Sequence, residues 1–222
     1  LSTNLGEVLV LFLGVVLAAA LGIGADAGET LLLPLTATMV LWINLVTDSF
    51  PALAVGVDPL DRTLMRRPPR VASEGVISKR MWIGIGVASV VMATGTLGLL
   101  DAGLPGGLIE GDGDTRYART LAFNALVLFQ LFYVLCIRSD VASIRSGLFS
   151  NVSIAFAVVL QVAVIYLPAL QRAFGTTALG ADDWALTVAV ASTIVIAREL
   201  LKAVFRRADR RAGLETAPVS PV

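Results

Sequence analysis

The sequence predicts an all-α polytopic membrane protein, a helical bundle of six transmembrane helices. Of its 222 residues 56% are hydrophobic and 15% are charged, and the mean hydropathy is +0.82. Because soluble domains carry about 25% charged residues, this composition indicates an integral membrane protein. Six apolar stretches reach the ~20 residues with which a helix crosses a bilayer. These stretches are residues 5–24, 32–57, 82–100, 120–137, 152–170 and 184–205.

Residues 1–205 therefore form one membrane domain, and residues 206–222 form a basic tail that we expect to be disordered. Most of the 17 lysines and arginines fall in residues 58–81, in residues 138–151 and at the end of the last span with the tail. By the positive-inside rule these segments are cytoplasmic, so both termini face the cytoplasm. The short loops favour a bacterial plasma membrane.

The composition also excludes several kinds of chemistry. The chain has no histidine and one cysteine, Cys136. Imidazole proton relays, imidazole metal sites, thiolate cages and internal disulfides are therefore excluded within this chain. Soft metals such as Cu(I) find no suitable ligands, whereas oxygen ligands for hard cations are present.

The second span concentrates such oxygens. Asn44, Thr47 and Asp48 stand at i, i+3 and i+4, so on a helix they share one face. Pro51 has no N–H to donate and leaves the carbonyl of Thr47 unpaired, which predicts that the helix is kinked or unwound between Thr47 and Pro51. Side-chain and backbone oxygens at one level suit a hard cation. A carboxylate in mid-span costs ~2.5–3.5 kcal/mol on insertion scales, which favours a function for Asp48 over the alternative of helix packing.

Three further spans carry polar side chains with more than one interpretation. Asn4 and Glu7 share a face of the first helix and suit a cation, but their spacing equally fits a helix N-cap with an acid at N3. A lone intramembrane glutamine such as Gln130 is more often an interhelical hydrogen bond than a ligand. The packing interpretation is stronger still for Asn124 and Gln161.

The run NLVTDSFPALAVG, followed by DPLDRTLMRRPPR, resembles the sixth membrane helix and the next cytoplasmic loop of P-type calcium-transporting ATPases. The segment STNLGE resembles the end of a motif on their fifth helix. The whole chain is similar to membrane helices five to ten of these ATP-driven pumps, their C-terminal transport region.

The resemblance implies cation ligands at six positions, with Asp48 able to bridge two neighbouring cation sites. Gln130 stands where muscle calcium pumps place a glutamate, and sodium pumps resemble the chain there. Sodium pumps, however, place an aspartate at the position of Asn44, so Ca²⁺ is the expected transported ion. The implied ligands are Asn4, Glu7, Asn44, Thr47, Asp48 and Gln130. The resemblance also implies a loop that couples the site to a phosphorylation domain, with Asp61, Arg67, Pro68, Pro69 and Arg70.

The chain lacks an Asp-Lys-Thr-Gly phosphorylation motif and a nucleotide-binding domain. Without the aspartyl nucleophile it cannot carry out the covalent chemistry of these pumps, so ATP and Mg²⁺ would act only through catalytic domains outside it. We expect a fragment, a separately encoded half or a degenerate copy. Its partners would be the lipid bilayer and the catalytic part of the pump, without nucleic acid.

In low dielectric, carboxylates at positions 7 and 48 would take up protons when the cation leaves, which would give calcium–proton exchange. Two other functions remain open from the sequence. The chain could be an autonomous six-helix channel or carrier lined by Asp48 and Glu7, or a structural module that transports nothing.

Overall fold

The structure, a computed structural model, describes residues 1–18, 33–49, 77–105, 108–109, 111–141 and 148–211. Within these ranges every regular element is helical, as predicted. A π-helical segment, Ile43–Ser49, directly continues the second α-helix. The α-helices are α1 Ser2–Val16, α2 Ala37–Trp42, α3 Lys79–Ala102, α4 Thr115–Val141, α5 Leu148–Tyr166, α6 Pro168–Phe174 and α7 Ala181–Arg211.

Helix α4 lies at the centre of the bundle. Phe123, Leu126 and Phe129 are fully buried along its length. A Cβ added to Gly95 of α3 would lie 2.5 Å from Phe129 Cζ and 3.1 Å from Val190 Cγ1 of α7. The three longest helices therefore meet at that glycine, where only the absence of a side chain permits the approach.

Helix α1 lies against α3 and runs in the same direction. Ser89 Oγ donates a 2.9 Å hydrogen bond to the carbonyl of Ser2. Further along both helices, a Cβ added to Gly6 would lie 3.2 Å from Met92 Sδ. Met92 is close to the midpoint of α3. The contact therefore places Gly6, and with it the next residue Glu7, at mid-height in the bundle.

Two helices, α3 and the part of α4 at Thr115–Ile137, are long and apolar enough to cross a membrane by length and composition. The pair Val152–Tyr166 and Pro168–Phe174 would count as a third span if its two parts are taken together. The described residues thus support an integral membrane protein but yield two or three spans where the sequence predicted six. Shorter apolar helices at Ser2–Val16 and Ala37–Val46 account for parts of the first and second predicted spans.

The predicted fifth span, residues 152–170, is not one straight helix. It bends by 86° between α5 and α6. Leu167 leaves the helical conformation, with φ −80° and ψ 122°, immediately before Pro168. A proline disfavours the helical conformation of the residue before it and cannot donate its own backbone hydrogen bond, so the helix ends at Tyr166.

At the other end of the chain, α7 continues to Arg211. The first part of the predicted disordered tail is therefore helical, and residues 212–222 lie outside the described ranges.

The second span differs from its prediction in the type of helix. It begins at Ala37, capped by Thr36 Oγ1, which accepts a 3.3 Å hydrogen bond from the backbone N–H of Met39. At Ile43 the α-helix widens into the π-helix, which continues through Ser49. The backbone up to that residue is wider than an α-helix but not unwound. Residues 50–76, including the predicted break at Pro51, lie outside the described ranges.

Candidate cation site

Three of the six predicted ligand residues meet at one carboxylate. Glu7 of α1 is 5% exposed. Asn44 of the π-helical segment donates a 2.8 Å hydrogen bond from Nδ2 to Glu7 Oε2. Gln130 of α4, fully buried, donates a 2.7 Å hydrogen bond from Nε2 to Glu7 Oε1. Each carboxylate oxygen is thus bonded to a different helix.

The local sequence explains how each of these side chains reaches the site. Gly6 lets α1 approach Met92 closely, which brings the neighbouring Glu7 into the bundle. Asn44 lies in the first turn of the π-helical segment, and its Nδ2 also donates a 2.9 Å bond to the carbonyl of Val40 one turn earlier. This second bond orients the carboxamide. The π-helix is rare and occurs mostly as short segments, frequently at functional sites.

The structure does not bring Asn4 to the site. Its side chain is exposed, and its Oδ1 accepts a 2.9 Å hydrogen bond from Thr3 Oγ1. The alternative in which Asn4 caps the helix is wrong, because the N-cap residue is Leu1, without a side-chain hydrogen bond. Asn4 lies inside the first turn, and its role as a cation ligand stays a prediction.

Other predicted positions cannot be placed. Thr47 and Asp48 belong to the π-helical segment by their backbone, but their side chains lie outside the described part of the structure. The helix-breaking Pro51 lies outside it too, as do all the coupling-loop positions Asp61, Arg67, Pro68, Pro69 and Arg70.

The assembled group has the chemistry of a hard-cation site. A carboxylate and two carboxamides offer oxygen ligands of the kind that Ca²⁺ takes. Each amide now presents its N–H to Glu7, and hydrogen bonds of this kind stabilise a charged carboxylate by about 1.5–3 kcal/mol. Among the residues that the structure describes, no three acids, cysteines or histidines cluster together. In this part of the site Glu7 is therefore the acid, and its two partners are neutral amides whose nitrogens face it.

A second chain of interhelical hydrogen bonds begins at Trp42, two residues before Asn44. Trp42 Nε1 donates to Gln161 Oε1 at 3.3 Å, and Gln161 Nε2 donates to Asn124 Oδ1 at 3.4 Å. Asn124 Nδ2 donates in turn to Thr187 Oγ1 at 3.1 Å. The packing interpretation of Asn124 and Gln161 is thus confirmed, while Gln130 differs from both because it binds an acid. The sequence analysis did not identify the role of Trp42, although a tryptophan N–H inside an apolar span needs an acceptor.

Comparisons with known proteins identify the family of the chain. The family described as "Cation transporting ATPase, C-terminus" matches residues 32–204, which include Asn44 and Gln130. The chain is 34% identical over 175 residues to the human "Calcium-transporting ATPase type 2C member 2", covering 76% of the chain and 18% of that protein. It is 33% identical over 208 residues to the "Calcium-transporting ATPase" of Bacillus subtilis, covering 90% of the chain and 22% of that protein.

The chain spans about a fifth of the length of these relatives. Glu7 and Asn4 precede the residues matched by the family, so the family match does not bear on them. The family match covers well over half of the chain and agrees with the apolar helices and the buried polar site. The chain therefore belongs to the cation-transporting ATPase C-terminus family, the C-terminal region of P-type calcium-transporting ATPases.

Proposed function

We propose that this chain is the cation-binding and translocating membrane half of an ATP-driven pump, and that the pump transports Ca²⁺. The observation that carries the proposal is the convergence of Asn44 and Gln130 on the two oxygens of Glu7. A carboxylate at mid-height in an apolar bundle is costly to insert, so its presence there favours a functional role. The names of the relatives, calcium-transporting ATPases, favour Ca²⁺ as the ion.

The three side chains would bind the ion once the two amides present their oxygens to it instead of their N–H groups. Ca²⁺ takes about 6–8 oxygen ligands at ~2.3–2.6 Å. A half-turn of each carboxamide about its last side-chain bond would replace the N–H that faces Glu7 by an oxygen. Thr47 and Asp48 would supply further oxygens from the π-helical segment. Asn4 would join them only after a rotation of α1, because it is exposed in the structure.

This exchange provides a way to couple the cation to protons. An ion near Glu7 would compete with the amide hydrogen bonds, and its departure would let them re-form. A proton taken up by Glu7 or Asp48 would then compensate for the lost positive charge. The pump would exchange Ca²⁺ for protons during its cycle.

The energy would come from domains outside this chain. ATP and Mg²⁺ would bind to catalytic domains in the remainder of the pump, and the loop with Arg67 and Pro68 would pass their state to the π-helical segment. The basic loops and tail would face the cytoplasm, in the plasma membrane of a bacterium.

The test is ATP-driven ⁴⁵Ca²⁺ uptake by a chimera. This chain replaces the corresponding region of the Bacillus subtilis calcium-transporting ATPase, and uptake is measured in inverted vesicles with and without ATP. We expect uptake that requires ATP, with the unmodified relative as the positive control. An ATP-independent calcium leak would favour the channel function. An inserted chimera that moves no calcium would favour the structural module.

A further inference from the structure

The ends of two helices are fixed together at the side of the bundle where α3 begins and α7 ends. Arg80 of α3 donates a 2.9 Å hydrogen bond from one guanidinium nitrogen to Asp209 Oδ2 of α7, and a second nitrogen binds Oδ1. The same guanidinium lies 5.4 Å from the centre of the Phe205 ring. A two-point hydrogen bond and a cation–π contact together hold the last turns of α7 against the start of α3.

The length of α7 sets the depth of this contact. With 31 residues α7 is ~46 Å long at about 1.5 Å per residue, and a bilayer measures about 40–45 Å with its headgroups. Contacts of Asn124 with Thr187 near one end and of Arg80 with Asp209 near the other show that α7 runs along the whole bundle. When its first turn, with Asp182, lies in one headgroup layer, its last turns therefore lie in the other.

Exposed cations surround the contact. We call Lys79, Arg206, Arg207 and Arg210 the basic rim; all four side chains are exposed. Arg80 compensates the charge of Asp209. In the described ranges no member of the basic rim forms an ion pair. Four uncompensated positive charges thus lie at the level of the lipid phosphates.

We propose that the basic rim binds the headgroups of anionic phospholipids. Guanidinium groups bind phosphate oxygens in a two-point geometry, and basic residues next to a membrane helix attract anionic lipid. The contact between Arg80 and Asp209 holds the start of α3 against the end of α7, so Lys79 lies beside the arginines of α7. This inference does not depend on the cation site and would hold if Ca²⁺ were not the transported ion.

The probe is phosphatidylglycerol in bilayers that also contain phosphatidylcholine, with the full chain reconstituted. Electron paramagnetic resonance of spin-labelled lipids gives the association constant of each lipid relative to phosphatidylcholine. Each of Arg206→Gln, Arg207→Gln and Arg210→Gln should lower the constant for phosphatidylglycerol by up to about fivefold. The triple variant, which keeps only Lys79 of the rim, should lose most of its preference for phosphatidylglycerol, and about 1 M salt should do the same to the unmodified chain.

Two controls separate charge from misfolding. Arg172→Gln removes an exposed arginine in α6, near the start of α7, and should leave the preference unchanged. Triple replacement of the three rim arginines by lysine keeps the charge and should keep most of the preference.

The proposal is wrong if the triple glutamine variant keeps the preference of the unmodified chain, or if Arg172→Gln lowers it equally. An unchanged lipid preference with weaker binding of the catalytic half would instead identify the rim as a protein docking surface.

Discussion

Glu7 and Gln130 are 123 positions apart in the chain, and their side chains are joined by a 2.7 Å hydrogen bond at the centre of the bundle. The bond distinguishes Gln130 from Asn124 and Gln161, which bond only to neutral groups in the contacts described above. The identity of the residue at position 130 therefore affects the charge of the site directly.

Replacing Gln130 by glutamate should raise calcium affinity and make it depend more steeply on pH. The variant would place two carboxylates within hydrogen-bond distance, where they share one proton unless a cation replaces it. Gln130→Leu should weaken calcium binding, because the site loses the amide oxygen that would turn toward the ion. The measurement is calcium-dependent uptake by the chimera between pH 6 and pH 8. Equal affinities for the two variants across this range would show that Gln130 does not contact the ion.

The hydrogen bond from Trp42 to Gln161 should contribute to the stability of the bundle. Gln161→Leu leaves both Trp42 Nε1 and Asn124 Oδ1 without this partner and should lower the free energy of unfolding by about 0.6–2 kcal/mol, the range of interhelical bonds in membranes. Trp42→Phe removes only one of the bonds and should cost less. Unfolding by sodium dodecyl sulfate, followed by circular dichroism, measures both. A larger loss for Trp42→Phe would mean that ring packing against Phe174 dominates.

The glycines of α3 offer a test of packing at matched positions. Gly95→Ala should destabilise the chain by about 1–3 kcal/mol, because its Cβ would lie 2.5 Å from Phe129 Cζ. The Cβ of Gly98→Ala meets nothing within 4 Å, so this change should be neutral or stabilise the helix by about 0.5–1 kcal/mol. The same unfolding assay compares the two variants. If both changes cost the same, the close approach of three helices at Gly95 is wrong.

The contact between Arg80 and Asp209 should depend on pH. The hydrogen bonds and positive charge of Arg80 lower the pKa of Asp209 below its ordinary value of 3.8. A carboxyl whose pKa is lower in the folded chain stabilises the fold above its ordinary pKa, and that stabilisation is lost as pH falls through the folded value. The end of α7 should therefore separate from α3 only in acid, below about pH 4.

Spin labels at Ser78 and Ala208, in a chain with Cys136 replaced by serine, measure this separation. At pH 7 the distance distribution should be narrow, and it should broaden below about pH 4. Asp209→Asn should give the broad distribution at both pH values. A distribution that stays narrow in acid would show that the carboxylate does not hold the helix end.

Sequence reasoning reached the helical class from the apolar spans and the family from a resemblance of motifs, and only that resemblance implied that Glu7, Asn44 and Gln130 belong to one site. It did not reach the bend at Pro168, although X-Pro is a signal for it, because the apolar run continues through the proline. It also missed the π-helix, since the local sequence does not distinguish backbone hydrogen bonds five residues apart from those four residues apart. The exposure of Asn4 depends on how α1 is rotated against α3, which only long-range packing determines.

The most direct measurement is the calcium concentration that gives half-maximal ATP-driven uptake by the chimera with Glu7→Gln. This change keeps the shape of the side chain while removing the charge that Asn44 and Gln130 contact. The matched control is Glu199→Gln, which removes an exposed carboxylate paired with Lys202. We predict that Glu7→Gln raises the required calcium concentration at least ~10-fold, because hydrogen bonds and ion contacts of a charged group contribute more than about 1.4 kcal/mol, and that Glu199→Gln leaves it unchanged. Uptake by Glu7→Gln with the calcium affinity of the unmodified chain would contradict the assignment of Glu7 as a cation ligand.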